Sequence, residues 1–128
     1  MSFKVGDVIS VYTDRSFDEK YKFAIVVAES KTNDNFLTVF INSKQANSDY
    51  IKNYQPCFEL NETRKYLKHR SYIDCYSPEE FMAMEIQNSI DKNPRNKLGE
   101  VSEADLDLIK HLIKRCPQIT NALKRCYF

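Results

Sequence analysis

The chain has 128 residues and a formal net charge of +1, from 19 Lys and Arg against 18 Asp and Glu. This length fits a single domain over residues 1–128, which buries roughly two-thirds of its unfolded surface without a metal or a disulfide. The charge balance excludes a protein that coats a polyanion with its whole surface. Any contact with nucleic acid therefore requires a local cluster of cations.

The cysteines and histidines show no metal-ligand spacing. Neither His69 nor His111 completes a zinc set, and no Cys-x-x-Cys pair occurs. We therefore expect no metal and no cofactor. The sequence has no signal peptide and no apolar run of about 18 residues, so we expect a cytoplasmic protein with reduced thiols and no membrane contact.

The first part of the chain predicts short strands. A Gly6-Asp7 turn signal leads into β-branched residues, which predicts a strand over residues 7–12. Residues 23–28 form a continuous apolar run that is too short for a typical helix. Residues 36–41 form another such run, after a turn rich in Asn, Asp and Ser. The two runs together predict a hairpin.

Polar residues at the ends of these strands are candidates for ligand contact. The connection over residues 13–22 is charged and without periodicity, which predicts a loop. Its cations either contact a ligand or keep a hairpin connection solvated; they are Arg15, Lys20 and Lys22. Asn42 and Ser43 follow the third strand, where they either cap a turn or face a substrate.

Residues 64–75 combine cations, tyrosines and a histidine with a strand-like pattern. If the stretch is extended, alternation places Leu67, His69 and Ile73 on a core face. The other face interleaves cations with phenol rings: Arg64, Tyr66, Lys68, Arg70 and Tyr72. This second set suits phosphate contacts and base stacking on a single-stranded nucleic acid. Alternatively, the cations only keep a half-buried strand soluble.

Five predicted strands precede any marked helix, and they indicate the fold class. With residues 57–60 and 67–75 added to the three above, the strands occupy about residues 7–75. Strands followed by helices predict a mainly β fold, a small β-barrel with peripheral and C-terminal helices over about residues 77–128. Residues 45–55 carry no regular pattern, and we expect an irregular surface segment there.

The helical part opens with a capping box that begins at Ser77, which predicts a short helix that passes into a strand. Residues 91–99 predict a loop from their Asn, Pro and Gly content. A second capping box begins at Ser102. A helix then follows, with one apolar stripe formed by Leu106, Ile109, Leu112 and Ile113. Pro117 ends it near residue 116, and residues 119–128 predict one further short helix.

The order of these segments resembles the PemK/MazF family of toxin-antitoxin ribonucleases. KVGDVISVY resembles the family's opening Gly-Asp-x-Val strand, KFAIVVAE its Arg-Pro-Ala-Val-Val-Leu strand, and LTVFINSK the strand that ends in a Thr/Ser turn. KLGEVSEADLDLIKHLI is similar to the family's terminal helix. CFELN and YLKHRSYIDC resemble a branch with a Cys-x-Leu strand followed by Ile-x-His-x-Ser-Tyr-Val.

The resemblance implies an SH3-like barrel with peripheral helices, a homodimer, and an antitoxin or other protein partner. It also implies metal-independent cleavage of single-stranded RNA by attack of the ribose 2′-hydroxyl on the adjacent phosphate. By position, the family's catalytic Arg falls at Lys22 and its catalytic Thr at Asn42, with Ser43 beside it. His69 is a natural replacement as acid or base, because imidazole exchanges protons near neutral pH.

These replacements leave three functions open. The first is a PemK-like ribonuclease with Lys22, Asn42, Ser43 and His69 at the reaction centre. The second is a catalytically inactive module on the same barrel that only binds nucleic acid or protein. A mobile element, for example, could encode such a module. The third is a protein that binds another protein through an exposed stripe of the terminal helix.

Overall fold

A computed structural model describes residues 1–13 and 21–128, and within them seven strands form one antiparallel sheet. The strands are β1 (Asp7–Tyr12), β2 (Tyr21–Glu29), β3 (Asn35–Asn42), β4 (Cys57–Phe58), β5 (Ser71–Ile73), β6 (Glu79–Met82) and β7 (Lys97–Glu100). The α-helices are α1 (Asp49–Lys52), α2 (Ala83–Lys92), α3 (Glu103–Arg115) and α4 (Asn121–Tyr127), with a 3-10 turn at Pro94–Asn96.

The sheet is a strongly curled half-barrel with the strand order β4-β5-β3-β2-β1-β7. One edge of β3 pairs with β6 near Phe36 and with β5 at Ile41, so two strands share that edge. A register shift between Val26 and Ala28 interrupts the pairing of β2 with β3. Such bulges increase the local twist of a sheet. The predicted curled antiparallel sheet with C-terminal helices is confirmed.

Helices cover both faces of the sheet, which explains why β2 is apolar at consecutive positions. Ile25 belongs to a core closed by Ile109 and Ile113 of α3. Val26 belongs to a second core on the opposite face, closed by Ile86 of α2. A strand buried on both faces has no solvent side on which to carry polar residues.

The Gly-Asp signal before β1 forms a buried turn. Gly6 has a φ of +97°, a region that L side chains rarely adopt. Its N–H donates to the Val26 carbonyl at 2.7 Å. The fully buried Asp7 carboxylate accepts from the Lys4 backbone N–H at 2.9 Å and from the Lys4 ammonium at 3.0 Å. The signal is therefore structural, and it joins β1 to β2.

Helix α3 follows its predicted bounds closely. The Ser102 hydroxyl accepts the Asp105 N–H at 3.1 Å, and the helix ends at Arg115 before Pro117. Ile109 and Ile113 are fully buried. Leu106 and Leu112 of the same stripe are half-buried, so the third function stays a prediction. None of the helices in residues 1–13 and 21–128 is long and apolar enough to span a bilayer.

The helix predicted to begin at Ser77 is wrong. Residues 79–82 form β6 on the edge of β3, and α2 begins only after Met82. Its true start is marked by Glu85, whose carboxylate accepts the Met82 N–H at 2.9 Å. Pairing with β3 buries Phe81 almost completely, and this tertiary gain outweighs the local cap at Ser77.

The long strand predicted over residues 67–75 is also wrong, since only Ser71–Ile73 pairs as β5. Two turns occupy the residues up to Leu67, with the Arg64 N–H bonded to the Asn61 carbonyl and the Leu67 N–H to the Arg64 carbonyl, and no strand forms over residues 64–70. Period-two alternation therefore fails. Tyr66 and Leu67 are both buried, whereas Lys68 and His69 are both exposed.

Three smaller elements differ from the prediction. The strand predicted over residues 57–60 is limited to β4, Cys57–Phe58. Helix α1 lies in the segment expected to be irregular, and β7 lies in the predicted 91–99 loop. β7 pairs with β1 at Val8, so the curl includes a strand that the local composition did not indicate.

Candidate nucleic-acid groove

A groove of about 240 Å³ opens where β2 begins and β3 ends, beside the turns that precede β5. Its polar lining consists of two cations, hydroxyl groups and an imidazole, from Lys22, Ser43, Lys68, His69 and Ser71, together with Tyr21 at one end. No carboxylate is among the described residues that line it. The groove is therefore electropositive and suited to an anionic ligand.

Lys22 lies in this groove because of the pairing of β2 with β3. Ala24 is the register partner of Phe40, and continuing that register brings Lys22 opposite Asn42. The Lys22 ammonium donates to the Asn42 amide oxygen at 3.0 Å, and it lies 5.6 Å from the centre of the Phe40 ring. These contacts give the ammonium a defined position at the end of the two strands.

Lys68 supplies the second cation from the turn before β5. Its ammonium lies 5.5 Å from the centre of the Phe23 ring, and its side chain is exposed. Lys22 and Lys68 thus each have an aromatic ring beneath the charge. Both lysines line the groove, and two cations suit a phosphodiester backbone, which carries one negative charge per nucleotide.

His69 is exposed in the groove, so its predicted place in the core is wrong. Its Nδ1 lies 2.7 Å from the Arg70 carbonyl oxygen, which can only accept a hydrogen bond. Nδ1 therefore carries the proton in the neutral ring, and Nε2 carries the lone pair. The Ser71 hydroxyl donates to the His69 carbonyl at 3.0 Å and stabilises the turn.

Three of the four residues predicted as catalytic line the groove: Lys22, Ser43 and His69. Asn42 is outside this lining and is bonded to Lys22. The three come from the start of β2, the end of β3 and the turn before β5, so the curl of the sheet makes them neighbours. Their catalytic roles stay predictions.

The residues predicted to contact nucleic acid do not form one set. Lys68 lies in the groove, but the Arg64 guanidinium is bonded to Asp105 at 2.9 Å through two nitrogens. The Arg70 guanidinium is paired with Glu59 at 2.6 Å. Of the predicted cations in the described ranges, Lys68 alone joins Lys22 in the lining of the groove.

The remaining members of that set lie in different environments. Tyr66 is buried in the core under α3, and Tyr72 is half-buried in β5, where it pairs with Asn42. Arg15 and Lys20 fall outside the described residues. The predicted nucleic-acid role of each of these residues stays a prediction.

Two tyrosines beside the groove were missed as candidates for a site. Tyr12 ends β1 and Tyr21 begins β2, and the two are register partners. Both side chains are exposed, by 50% for Tyr12 and 42% for Tyr21. Tyr12 precedes the polar 13–22 segment and Tyr21 lies near its end, so hairpin pairing of the first two strands was a signal that could have placed them together.

Cys75 is a poor candidate for a nucleophile or a metal ligand. It is buried, as is common for a free cysteine, and burial raises the pKa of its thiol. Within the described ranges, no three side chains of His, Cys, Asp or Glu are arranged to hold a metal ion.

No protein-family model and no curated protein matches this sequence.

Proposed function

We propose that this protein is a PemK/MazF-like endoribonuclease that cleaves single-stranded RNA without a metal cofactor. One observation supports this most strongly: Lys22, Ser43, Lys68 and His69 line a single electropositive groove. The resemblance of sequence motifs and the curled sheet with C-terminal helices agree with this assignment. The family resemblance also implies a homodimer and an antitoxin or other protein partner.

Substrate binding follows from the charges and rings of the groove. Lys22 and Lys68 neutralise phosphates of the RNA, and the exposed ring of Tyr21 at the end of the groove offers a face for a base. A single strand can present its phosphates and its bases to the same surface, whereas a duplex holds its bases stacked inside. Single-stranded RNA is therefore the better fit.

The reaction needs a base near the ribose 2′-hydroxyl and a cation near the phosphate. His69 Nε2 takes the proton of the 2′-hydroxyl, and the 2′-oxygen forms a bond to the adjacent phosphorus. The bond from phosphorus to the 5′-oxygen then breaks, and that oxygen takes a proton from water. The Lys22 ammonium stabilises the charge that develops on the phosphate oxygens. The products are a 2′,3′-cyclic phosphate and a 5′-hydroxyl, and His69 releases its proton to solvent.

A second candidate is an RNA-binding module that does not cut. The observation in its favour is the 3.0 Å bond from Lys22 to Asn42, at the positions where the family has Arg and Thr. An ammonium is a single point charge without the planar fork that grips two phosphate oxygens, and an amide replaces the hydroxyl. Such a groove holds a phosphate but contributes less to its transition state.

Cleavage in EDTA tests the proposal. The purified protein is incubated with an end-labelled single-stranded RNA, and the fragments are checked for 2′,3′-cyclic phosphate ends by mass spectrometry. We expect His69→Ala to slow cleavage by about 100-fold or more, the usual scale for loss of a general base. His111→Ala is the matched control, because His111 is an exposed histidine on α3 and lines no part of the groove.

The outcomes separate the two candidates. Intact RNA that is nevertheless bound, with binding lost in the Lys22→Ala Lys68→Ala double variant, removes the enzyme and supports the binding module. Absence of both cleavage and binding removes both. Cleavage that His69→Ala leaves unchanged contradicts the role given to the imidazole.

A further inference from the structure

A second cavity adjoins the groove, and the two share Tyr21 as a wall. It has a volume of about 510 Å³ and lies between the ends of β1 and β2 and the side of α2. Its lining differs in chemistry from that of the groove, since aromatic rings and hydrogen-bond acceptors predominate: Tyr12, Tyr21, Glu85, Asn88, Asp91, with Lys92 as the cation.

Tyr12 and Tyr21 form the aromatic side of this cavity. Their ring centres are 5.6 Å apart and the ring planes meet at 79°, an edge-to-face arrangement. In that geometry the ring whose edge is engaged keeps both of its own faces clear of its partner. Because both tyrosines are also exposed, the pair offers a stacking surface for a planar group.

Helix α2 forms the polar side. Glu85, Asn88 and Asp91 recur at every third position, so neighbouring members share one side of the helix. The Glu85 carboxylate accepts the Met82 N–H at 2.9 Å, and the Asp91 carboxylate accepts from the Gln87 amide at 2.8 Å. These bonds hold the two carboxylates in place before a ligand arrives.

Carboxylates repel a phosphate but accept hydrogen bonds from the donor groups of a base. Among the RNA bases, guanine has two adjacent donors, the N1–H and the N2 amino group, which match the two oxygens of one carboxylate. Uracil offers one donor between two carbonyl oxygens, which a carboxylate repels. The acceptors of α2 therefore favour guanine.

We infer that the cavity bounded by Tyr12, Tyr21 and α2 is a nucleobase pocket that selects a guanine next to the phosphate held in the groove. The shared Tyr21 wall places a base in the cavity while Lys22 and Lys68 hold the adjoining backbone. This inference rests on the proposed function, because it names the base that the same RNA-binding surface recognises.

Binding of uncleavable RNA tests the pocket apart from catalysis. The probes are fluorescein-labelled 2′-O-methyl oligouridines with or without one central guanosine, which lack the attacking 2′-hydroxyl. Fluorescence anisotropy measures Kd. We expect the guanosine to tighten binding by about tenfold, within the usual range for one well-placed base. Tyr12→Ala should weaken binding of the guanosine probe by about tenfold, whereas Tyr12→Phe keeps the ring and the affinity.

Two further variants make the test specific. Asp91→Asn replaces one acceptor oxygen by a donor and should reduce the preference for guanosine without abolishing binding. Tyr50→Ala removes a tyrosine as exposed as Tyr12 that lines neither cavity, so it should leave both probes unaffected.

Failure of the pocket differs from failure of the function. Equal binding of the two probes overturns the selection of guanine. Binding that Lys22→Ala and Lys68→Ala weaken but Tyr12→Ala does not overturns the pocket and leaves the RNA-binding groove intact. If no oligonucleotide binds, the proposed function and the pocket fall together.

Discussion

Arg64 lies in the turns before β5 and is joined to Asp105, in the first turn of α3, by two hydrogen bonds of 2.9 Å. The Arg64 guanidinium also lies 4.1 Å from the centre of the Phe58 ring. The side chains of the pair are only 19% and 12% exposed. The hydrogen bonds to Asp105 raise the pKa of Arg64. The pair thus attaches the turns that carry Lys68 and His69 to the helix behind them.

Replacing Arg64 by alanine should destabilise the fold. The change leaves the Asp105 carboxylate with little solvent and without its partner, so we expect a loss of about 2–3 kcal/mol in the free energy of unfolding. Urea denaturation measures it. Arg70→Ala is the control, because the pair of Arg70 with Glu59 is largely exposed and its loss should cost much less than that of the Arg64 pair. Similar losses in the two variants would contradict the role given to the Arg64 pair.

The Tyr66 hydroxyl is buried and has no hydrogen-bond partner in the described part of the chain. Tyr66→Phe removes a polar group that folding strips of water without compensation. We therefore expect the free energy of unfolding at neutral pH to stay the same or to rise by up to about 1 kcal/mol. A fall of more than about 1 kcal/mol would indicate a partner for the hydroxyl.

The same substitution should change the alkaline limb of the stability curve. Burial raises the pKa of Tyr66 from 10.0 to about 12. Since the folded pKa is the higher one, the contribution of this group is complete below pH 10 and is lost as pH rises towards 12. The wild type should therefore lose stability relative to Tyr66→Phe across that interval. Parallel curves of stability against pH for the wild type and Tyr66→Phe would contradict this prediction. Tyr12→Phe is the control, because the Tyr12 ring is exposed.

Elements set by local pattern could be predicted from the sequence. β1 and α3 match their predicted bounds closely because a turn signal precedes β1 and the Ser102 cap precedes α3, and both are local. The strand prediction around Arg64 was wrong because the conformation there depends on Asp105, a partner 41 positions away in the sequence. The helix predicted to begin at Ser77 was wrong for the same kind of reason, since residues 79–82 pair with the edge of β3.

The site was predictable to a similar extent. Lys22 and Asn42 were proposed from their positions at strand ends, and the register of β2 and β3 makes them neighbours. His69 was assigned to the wrong side because the alternation it depended on does not exist. The cavity beside Tyr12 was not foreseen, because it needs α2 to pack across the ends of two strands.

Lys68 should contribute to RNA binding through its charge. Lys68→Ala removes one of the two cations of the groove, so the slope of log Kd against log salt concentration should fall in magnitude by about one. Lys65→Ala is the control: Lys65 is exposed, is paired with Glu62 at 3.4 Å and lies outside the groove lining. Titrations at several salt concentrations measure both slopes. Equal slopes for Lys68→Ala and the wild type would place the phosphate elsewhere.

If the proposed PemK/MazF-like function holds, introducing that family's Arg and Thr at Lys22 and Asn42 should raise cleavage. The Lys22 ammonium donates to the Asn42 amide oxygen at 3.0 Å, and Lys22 lines the groove. In the Lys22→Arg Asn42→Thr double variant, a guanidinium fork can bind two phosphate oxygens, and a hydroxyl replaces the amide. Because one added donor to the transition state commonly changes the rate by about 100-fold, we expect a gain of at least about tenfold in kcat. Lys44→Arg, at an exposed lysine outside the groove lining, should leave the rate unchanged. A folded double variant no faster than the wild type would mean that the groove does not hold the scissile phosphate between these two positions.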